Sequence, residues 1–265
     1  MLINDLYISN SLILIIVLCS IYLFVSFCTI FLIRKYSTSF FNPKFSDIHG
    51  HMFGVIGIIY AVLIGAIAVD TWDKFKMAEA IANKEATIAI NIYNLAPSMG
   101  DTSQIKIQKN IEMYLNEVVN KEWEQMYKGI SPAFKNLQLI ELNKVLMGQF
   151  LENKKQEIYL PLLAQQLNEL NQMREDRLFI SVTYINYIIL SFVFIGGFFL
   201  LLSLALIGLE FSLSSNFVLS SILSILIGLV LGITIGLDRP YQGDISVSNQ
   251  PFVAALNFIQ SLSMR

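Results

Sequence analysis

The stretch from Gly54 to about Ala96 constrains this chain more than any other. It opens as an apolar segment, GVIGIIYAVLIGAIAVDTW, and continues without Pro or Gly through DKFKMAEAIANKEATIAINIYNLA. Apolar and small residues recur through both halves at Gly54, Gly57, Ala61, Gly65, Ala68, Trp72, Phe75, Ala82, Ala86, Ala89 and Tyr93. A period near 3.6 residues predicts one face of one continuous helix. Its first half matches the roughly 20 apolar residues that cross the hydrocarbon core of a bilayer. Its second half carries Lys74, Lys76, Glu79, Lys84 and Glu85, and so belongs in water or in a partner's groove. One helix is therefore expected to leave the membrane and enter a soluble domain.

Composition agrees with a membrane assignment. Of the 265 residues 55% are hydrophobic and 14% charged, where a soluble domain carries about 25% charged residues. The lipid bilayer is thus the first partner the sequence implies. A formal net charge of -2 offers no basic excess for nucleic acid. Cys19 and Cys28 both lie in the first apolar run, nine residues apart. On a helix that is roughly 13 Å, too far for a disulfide, so they read as small buried hydrophobes.

Residues 10–33 form that first run, too long for a signal-peptide core and followed at once by Arg34 and Lys35. It reads as the first membrane helix, and 54–72 as the second. His49 and His51, in the loop expected between them, are too few for a metal site. No metal or other cofactor is implied. Beyond Pro97 the chain reads as soluble and helical. Asp101 or Thr102 is the expected cap of a helix with Ile105, Gln108, Ile111, Leu115, Val118, Glu122 and Met126 on one face, ended by Gly129. Ser131 and Pro132 read as the cap and first turn of a second helix through Leu137, Ile140 and Leu146. A third helix is expected from about Leu160 through Leu163, Leu167, Leu170 and Arg174, running unbroken into the next apolar run. That run, 183–207, is the third span, with Gly196 and Gly197 as a flex point.

The fourth span, about 217–237, carries the most specific pattern. Ser220, Ser224, Gly228, Gly232 and Gly236 fall at strict four-residue intervals, the small-xxx-small repeat that lets helix backbones approach closely in lipid. The stripe fits packing within a subunit or between subunits. Asp238 and Arg239 follow it, either shaping an ion entrance or tying the tail to the soluble domain, with Pro240 ending the helix.

Three segments, YAVLIGAIAVDTWDKFKMAEAIANKEA, EWEQMYKG and DRPYQGDISVSNQPF, together with the spacing of Arg174 and Arg177, resemble the bestrophin-like domain family of bacterial membrane proteins. The family was catalogued as a domain of unknown function. Its name implies kinship with bestrophins, pentameric ion channels with four membrane helices per subunit and a helical cytosolic domain. The resemblance implies a homo-oligomer passing inorganic ions. The acidic cluster of the animal calcium clasp is missing here.

The expected architecture is an all-α integral membrane protein with four membrane helices and a helical soluble domain between the second and third. Two membrane helices would extend into that domain. The divisions are 1–72, 73–180, 181–237 and a tail, 238–265. Four spans put both termini and the soluble block on one side. Near the spans that side carries Lys74, Lys76, Lys84, Arg174, Arg177 and Arg239, against Arg34, Lys35 and Lys44 opposite. Six basic residues against three favour a cytosolic soluble domain in the cell membrane, although the first loop alone argues the reverse.

Gly54, Gly57, Ala61 and Gly65 suit close packing, which assigns the opposite face, Ile56, Tyr60, Leu63 and Ile67, to a pore, with Asp70 at its mouth. The small face is the alternative lumen. Asp70 belongs either to an acidic ring favouring cations or to a local pair with Lys74. An oligomeric ion channel and a non-conducting scaffold or stress-sensing module are the two functional readings. No H-E-x-x-H, G-x-S-x-G or P-loop points to an enzyme.

Overall fold

The computed structural model describes residues 11–36, 46–148, 154–210 and 212–263. Among these every regular element is helical. In order they are α1 (Ser11–Tyr36), α2 (Ser46–Leu95), α3 (Asp101–Glu117), α4 (Trp123–Tyr127), α5 (Leu137–Met147), α6 (Lys154–Val182), α7 (Tyr187–Ile207), α8 (Leu213–Leu237) and α9 (Gln250–Ser263). A 3-10 turn, Ala96–Met99, joins α2 to α3, and one turn of π-helix, Val118–Glu122, joins α3 to α4. Helices α1, α2, α7 and α8 are long and apolar enough to cross a bilayer.

The chain divides into two compact units. One comprises Met1–Asp73, Tyr184–Asp238 and Gly243–Ile245; the other comprises Lys74–Thr183, Arg239–Gln242 and Ser246–Arg265. Helix α2 contributes its first half to the former and its second half to the latter.

In the membrane unit α1 lies along α8. The small residues of α8 face it: Ser220, Ser224, Gly228, Gly232 and Gly236 are all buried. A Cβ on Gly228 would stand 2.7 Å from the Cα of Cys19, and one on Gly232 3.0 Å from the Cα of Ile15. Backbones meet there because side chains are missing. Gly196 and Gly197 do not interrupt α7; they make room for aromatic rings, with Tyr60 against Gly196 and Tyr22 against Gly197.

The soluble unit is built around the buried Ala78, Ala82, Ala86 and Ala89 of α2, Ile107, Ile111, Tyr114 and Leu115 of α3, Leu139, Leu142 and Leu146 of α5, and Leu163, Leu167 and Leu170 of α6. Phe252, Ala255 and Ile259 of α9 complete this core.

Several boundaries differ from the expectations, each for a local reason. Helix α2 starts at Ser46 rather than 54, so His49 and His51 stand on a helix and not in a loop; Gly50 within it costs only about 1 kcal/mol. Lys44, counted in the charge balance, lies outside the described residues. Gly100, at φ +85°, is the cap position of α3 in place of Asp101 or Thr102. Within α3, Ile105 is 64% exposed while Ile107 and Ile111 are buried, because six residues on a 3.6-residue turn put Ile105 about 120° around from Ile111. Ser131 and Pro132 open no helix. Asn136 caps α5 instead, accepting from the N–H groups of Gln138 and Leu139 at 3.1 and 3.2 Å. Leu137 and Ile140 then face outward, and Leu139 and Leu142 inward. Finally, α6 does not run on into α7. The Asp238 carboxylate accepts the Ile185 N–H at 3.0 and 3.1 Å, and Asn186 caps α7 through the Ile188 N–H at 2.9 Å. These partners satisfy backbone groups that an unbroken helix would have paired internally.

Candidate functional site

The residues singled out on α2 differ in exposure. Tyr60 is 6% exposed, its ring against Gly196 of α7. Ile56, Leu63 and Ile67 are half-buried beside it, packed on a core that includes Val193 and Leu200 of α7. This face, read from the sequence as pore-lining, packs in part on α7, whose Gly196 and Gly197 make room for the Tyr60 ring. Gly54, Ala61 and Gly65 are exposed, whereas Gly57 is half-buried with Leu200 at 3.8 Å from its Cβ position. Asp70 is exposed. The outward side also carries Val55, Ile58, Val62 and Val69, each more than half exposed. An apolar crevice of about 260 Å³ lies between Ile56, Ile59, Tyr60 and Leu63 of α2 and Gly196 and Phe199 of α7.

Arg174 and Arg177 lead to the second feature, a buried charge network in the soluble unit. Arg177 is fully buried. Its Nε and Nη2 donate to the two oxygens of Glu85 at 2.7 and 2.9 Å, and Nη2 also reaches Glu122 at 2.6 Å. Arg174 donates to the other Glu122 oxygen from Nε and Nη2, at 3.1 and 2.7 Å. The Tyr114 hydroxyl donates to Glu85. Trp123 and Phe252 flank the Arg177 guanidinium at 5.7 and 5.6 Å from their ring centres. Tyr241 stands edge-on to Trp123 at 5.4 Å and donates its hydroxyl to the Ala78 carbonyl of α2 at 3.2 Å.

Glu122, the last residue of the π turn, and Trp123, the first of α4, are both buried. Arg174 spends its remaining donors on the carbonyls of Ala133 and Phe134, both at 2.7 Å. Both carbonyls belong to the non-helical segment before α5. Two cations face two anions, so the network is neutral. Burial would strip Arg177 of its proton, but Glu85 and Glu122 outweigh burial and keep it charged. Burial and the neighbouring Glu85 push the Tyr114 hydroxyl well above its usual range, so it remains a donor. Burial opposes ionisation of Glu122, yet Arg177 and Arg174 hold its carboxyl below the usual value.

The Glu122 shift has a pH consequence. A depressed carboxyl pKa contributes stability above the unfolded value, about 4.3 for Glu, and that contribution fades as pH falls through the lower folded value. Glu122→Gln is therefore expected to be less stable than the wild type by about 3 kcal/mol at pH 7. The gap should shrink as pH drops below about 4, as read from denaturant unfolding in detergent at stepped pH. A gap that stays constant down to pH 3 would show that Glu122 is not held as a charge.

Sequence reasoning placed Arg174 and Arg177 together but put Glu85 in water or in a partner's groove. Glu85 is 0% exposed. The signal was available in position: it lies beside Ala82, Ala86 and Ala89, on the buried face of α2. Asp238 and Arg239 do not join this network; Asp238 serves the start of α7, and Arg239 donates to Gln242 at 3.1 Å.

The motifs EWEQMYKG and DRPYQGDISVSNQPF thus meet around Arg177, through Glu122 and Trp123 from one and Tyr241 and Phe252 from the other. Residues 20–252 match the family model of the bestrophin-like domain. The chain belongs to the bestrophin-like family. Its fold is that of solved bacterial bestrophin homologues. One variant of the homologue from Klebsiella pneumoniae superposes with a TM-score of 0.71 at 11% identity, covering 95% of this chain and 99% of that one. Another structure of the Klebsiella pneumoniae homologue gives 0.65 at 13% identity, with 93% and 96% covered. A structure described as a membrane protein variant gives 0.68 at 12% identity, also with 93% and 96% covered. Among curated proteins none matches this sequence. This bestrophin-like protein is accordingly a helical membrane protein across nearly its whole length.

Proposed function

We propose that this bestrophin-like protein is an oligomeric ion channel with α2 lining the conduction path. The observation that carries this is how little of α2 its own subunit covers. In its most apolar window 6% of residues are buried, against 28–44% for the other three spans. A central helix shared around a symmetry axis has this property, with one side on its own subunit and the other turned to the axis.

The path runs along the outward side centred on Ile58, Val62 and Val69, with Gly54, Ala61 and Gly65 flanking and Asp70 at its mouth. In the soluble half of α2, Asn83, Thr87, Asn91 and Asn94 are exposed and uncharged. Positions at these spacings share one face of a helix. Apolar rings followed by amides and a hydroxyl suit a dewetting gate that opens into a hydrated vestibule. The family resemblance supports five subunits around the axis. The excess of basic residues beside the soluble block supports a cytosolic soluble domain and cytosolic termini.

Flux from liposomes containing only this protein tests the reading. Val62→Ser is expected to wet the narrow ring and raise the leak about tenfold or more. Leu63→Ser, on the inward side, should leave it near the wild-type level. Asp70→Asn should lower cation preference. Background flux in the wild type and all three variants would instead mark a non-conducting scaffold or stress-sensing module.

A further inference from the structure

From Ala78 to Ala89 the buried face of α2 is mostly alanine, at Ala78, Ala82, Ala86 and Ala89; Ile88 is the one buried branched side chain there, and Ile92 and Tyr93 follow within the next turn. A face made mostly of alanine packs closely but offers few large knobs to interdigitate, so its shape alone distinguishes neighbouring registers weakly. The exception is Glu85. Both of its oxygens are taken by Arg177, at 2.7 and 2.9 Å, in the two-point fork that fixes direction as well as distance. Arg177 is itself held by Glu122 and by the flanking rings of Trp123 and Phe252.

We infer that Arg177 is a positioning residue: through Glu85 it sets the rotation and register of α2 in the soluble unit. A buried ion pair adds little net stability, because desolvation offsets attraction, but it penalises every register in which the charges part. One helical turn of slip, about 5.4 Å, would leave Glu85 buried without its fork. The same pair therefore dictates which side of α2 stays outward. Its effect on conduction rests on the channel reading above; its effect on register does not.

Cross-linking in the full-length protein in nanodiscs, with Cys19 and Cys28 replaced by Ser, tests this. Asn91 and Gln166 touch across α2 and α6, with Nδ2 to Oε1 at 3.5 Å. The pair Asn91→Cys with Gln166→Cys reports the native register, and Thr87→Cys with Gln166→Cys reports a register one turn away. In the apolar exchange Glu85→Leu with Arg177→Met, native-register cross-linking is expected to fall about threefold and the off-register product to rise. Arg177→Lys, which keeps the charge but loses the fork, should show the same change in smaller degree. Glu85→Gln keeps one acceptor oxygen but turns an NH2 group to the other Arg177 donor, so it too loses the fork and should fall between the wild type and the apolar exchange.

Native cross-linking in a folded apolar exchange would overturn the inference, since alanine packing would then set the register unaided. An apolar exchange that fails to fold, with an unchanged pattern in Arg177→Lys, would overturn it too. Flux is measured on the same Glu85 and Arg177 variants without the cysteine pairs, because Thr87 and Asn91 lie on the proposed path. A wild type that does not conduct removes the channel reading and leaves the cross-linking result standing, whereas altered flux with altered register supports both.

Discussion

Gly228→Leu is expected to abolish assembly of the membrane unit. At Gly228 even a methyl group would sit 2.7 Å from the Cα and 2.8 Å from the backbone nitrogen of Cys19. Backbone cannot rotate aside as a side chain can, so α1 and α8 must separate along their shared length. In lipid there is no hydrophobic penalty to hold them together once packing is lost. The stripe should be graded. Gly232→Leu meets Ile15 at 2.5 Å at its Cγ1 and 3.0 Å at its Cα, and is expected to be nearly as damaging. Gly236→Ala finds its nearest neighbour, the Ser11 hydroxyl, at 3.7 Å and should be tolerated. Overpacking ordinarily costs about 1–3 kcal/mol; a leucine against backbone exceeds that. Phe198→Leu, at a ring 42% exposed on α7, should stay within about 0.5 kcal/mol of the wild type. Monodisperse yield and thermal melting in detergent read the series. Gly228→Leu behaving like Phe198→Leu would end the packing argument.

The stripe shows what a sequence can carry. Small residues every four positions in an apolar helix say that a backbone comes close, because nothing else in lipid rewards their absence of side chain. They do not say whose backbone, and here it is that of α1. The helical class and the run of α2 out of the apolar segment follow in the same way from periodicity. The inward turn of Tyr60 was not legible: it depends on glycines 136 and 137 residues further on, at Gly196 and Gly197. The end of α6 at Val182 was equally hidden, since the group that stabilises the break is Asp238, on the far side of two spans. At the charge network, Arg174 and Arg177 stood out in the sequence, but their partners come from α2 and the π turn. A π turn shifts every later residue by one position relative to an α-helical count, and so no regular period reads across it.

That network yields the second large effect. Arg177→Met alone is expected to destabilise the soluble unit by about 3–5 kcal/mol. The methionine fills much of the space and keeps contact with Trp123 and Phe252, so the loss is not one of volume. It leaves Glu85, 0% exposed, with the Tyr114 hydroxyl in place of a cation, and strips one oxygen of Glu122 of its partner. An uncompensated buried carboxylate must either stay charged at high cost or take up a proton. Lys84→Met is the contrasting case: its bridge to Glu169 is 2.7 Å long, but the two side chains are 53% and 30% exposed. Such a pair is worth about 0–1 kcal/mol. Adding Glu85→Leu to Arg177→Met should return a large part of what the single change loses, because the stranded charge is gone. Denaturant unfolding of the two single variants and the double closes the cycle. Additive losses would mean that Glu85 and Arg177 act separately. A recovery would mean that most of Arg177's contribution is the burial of Glu85, and would explain why an alanine-faced helix carries a carboxylate into its own core.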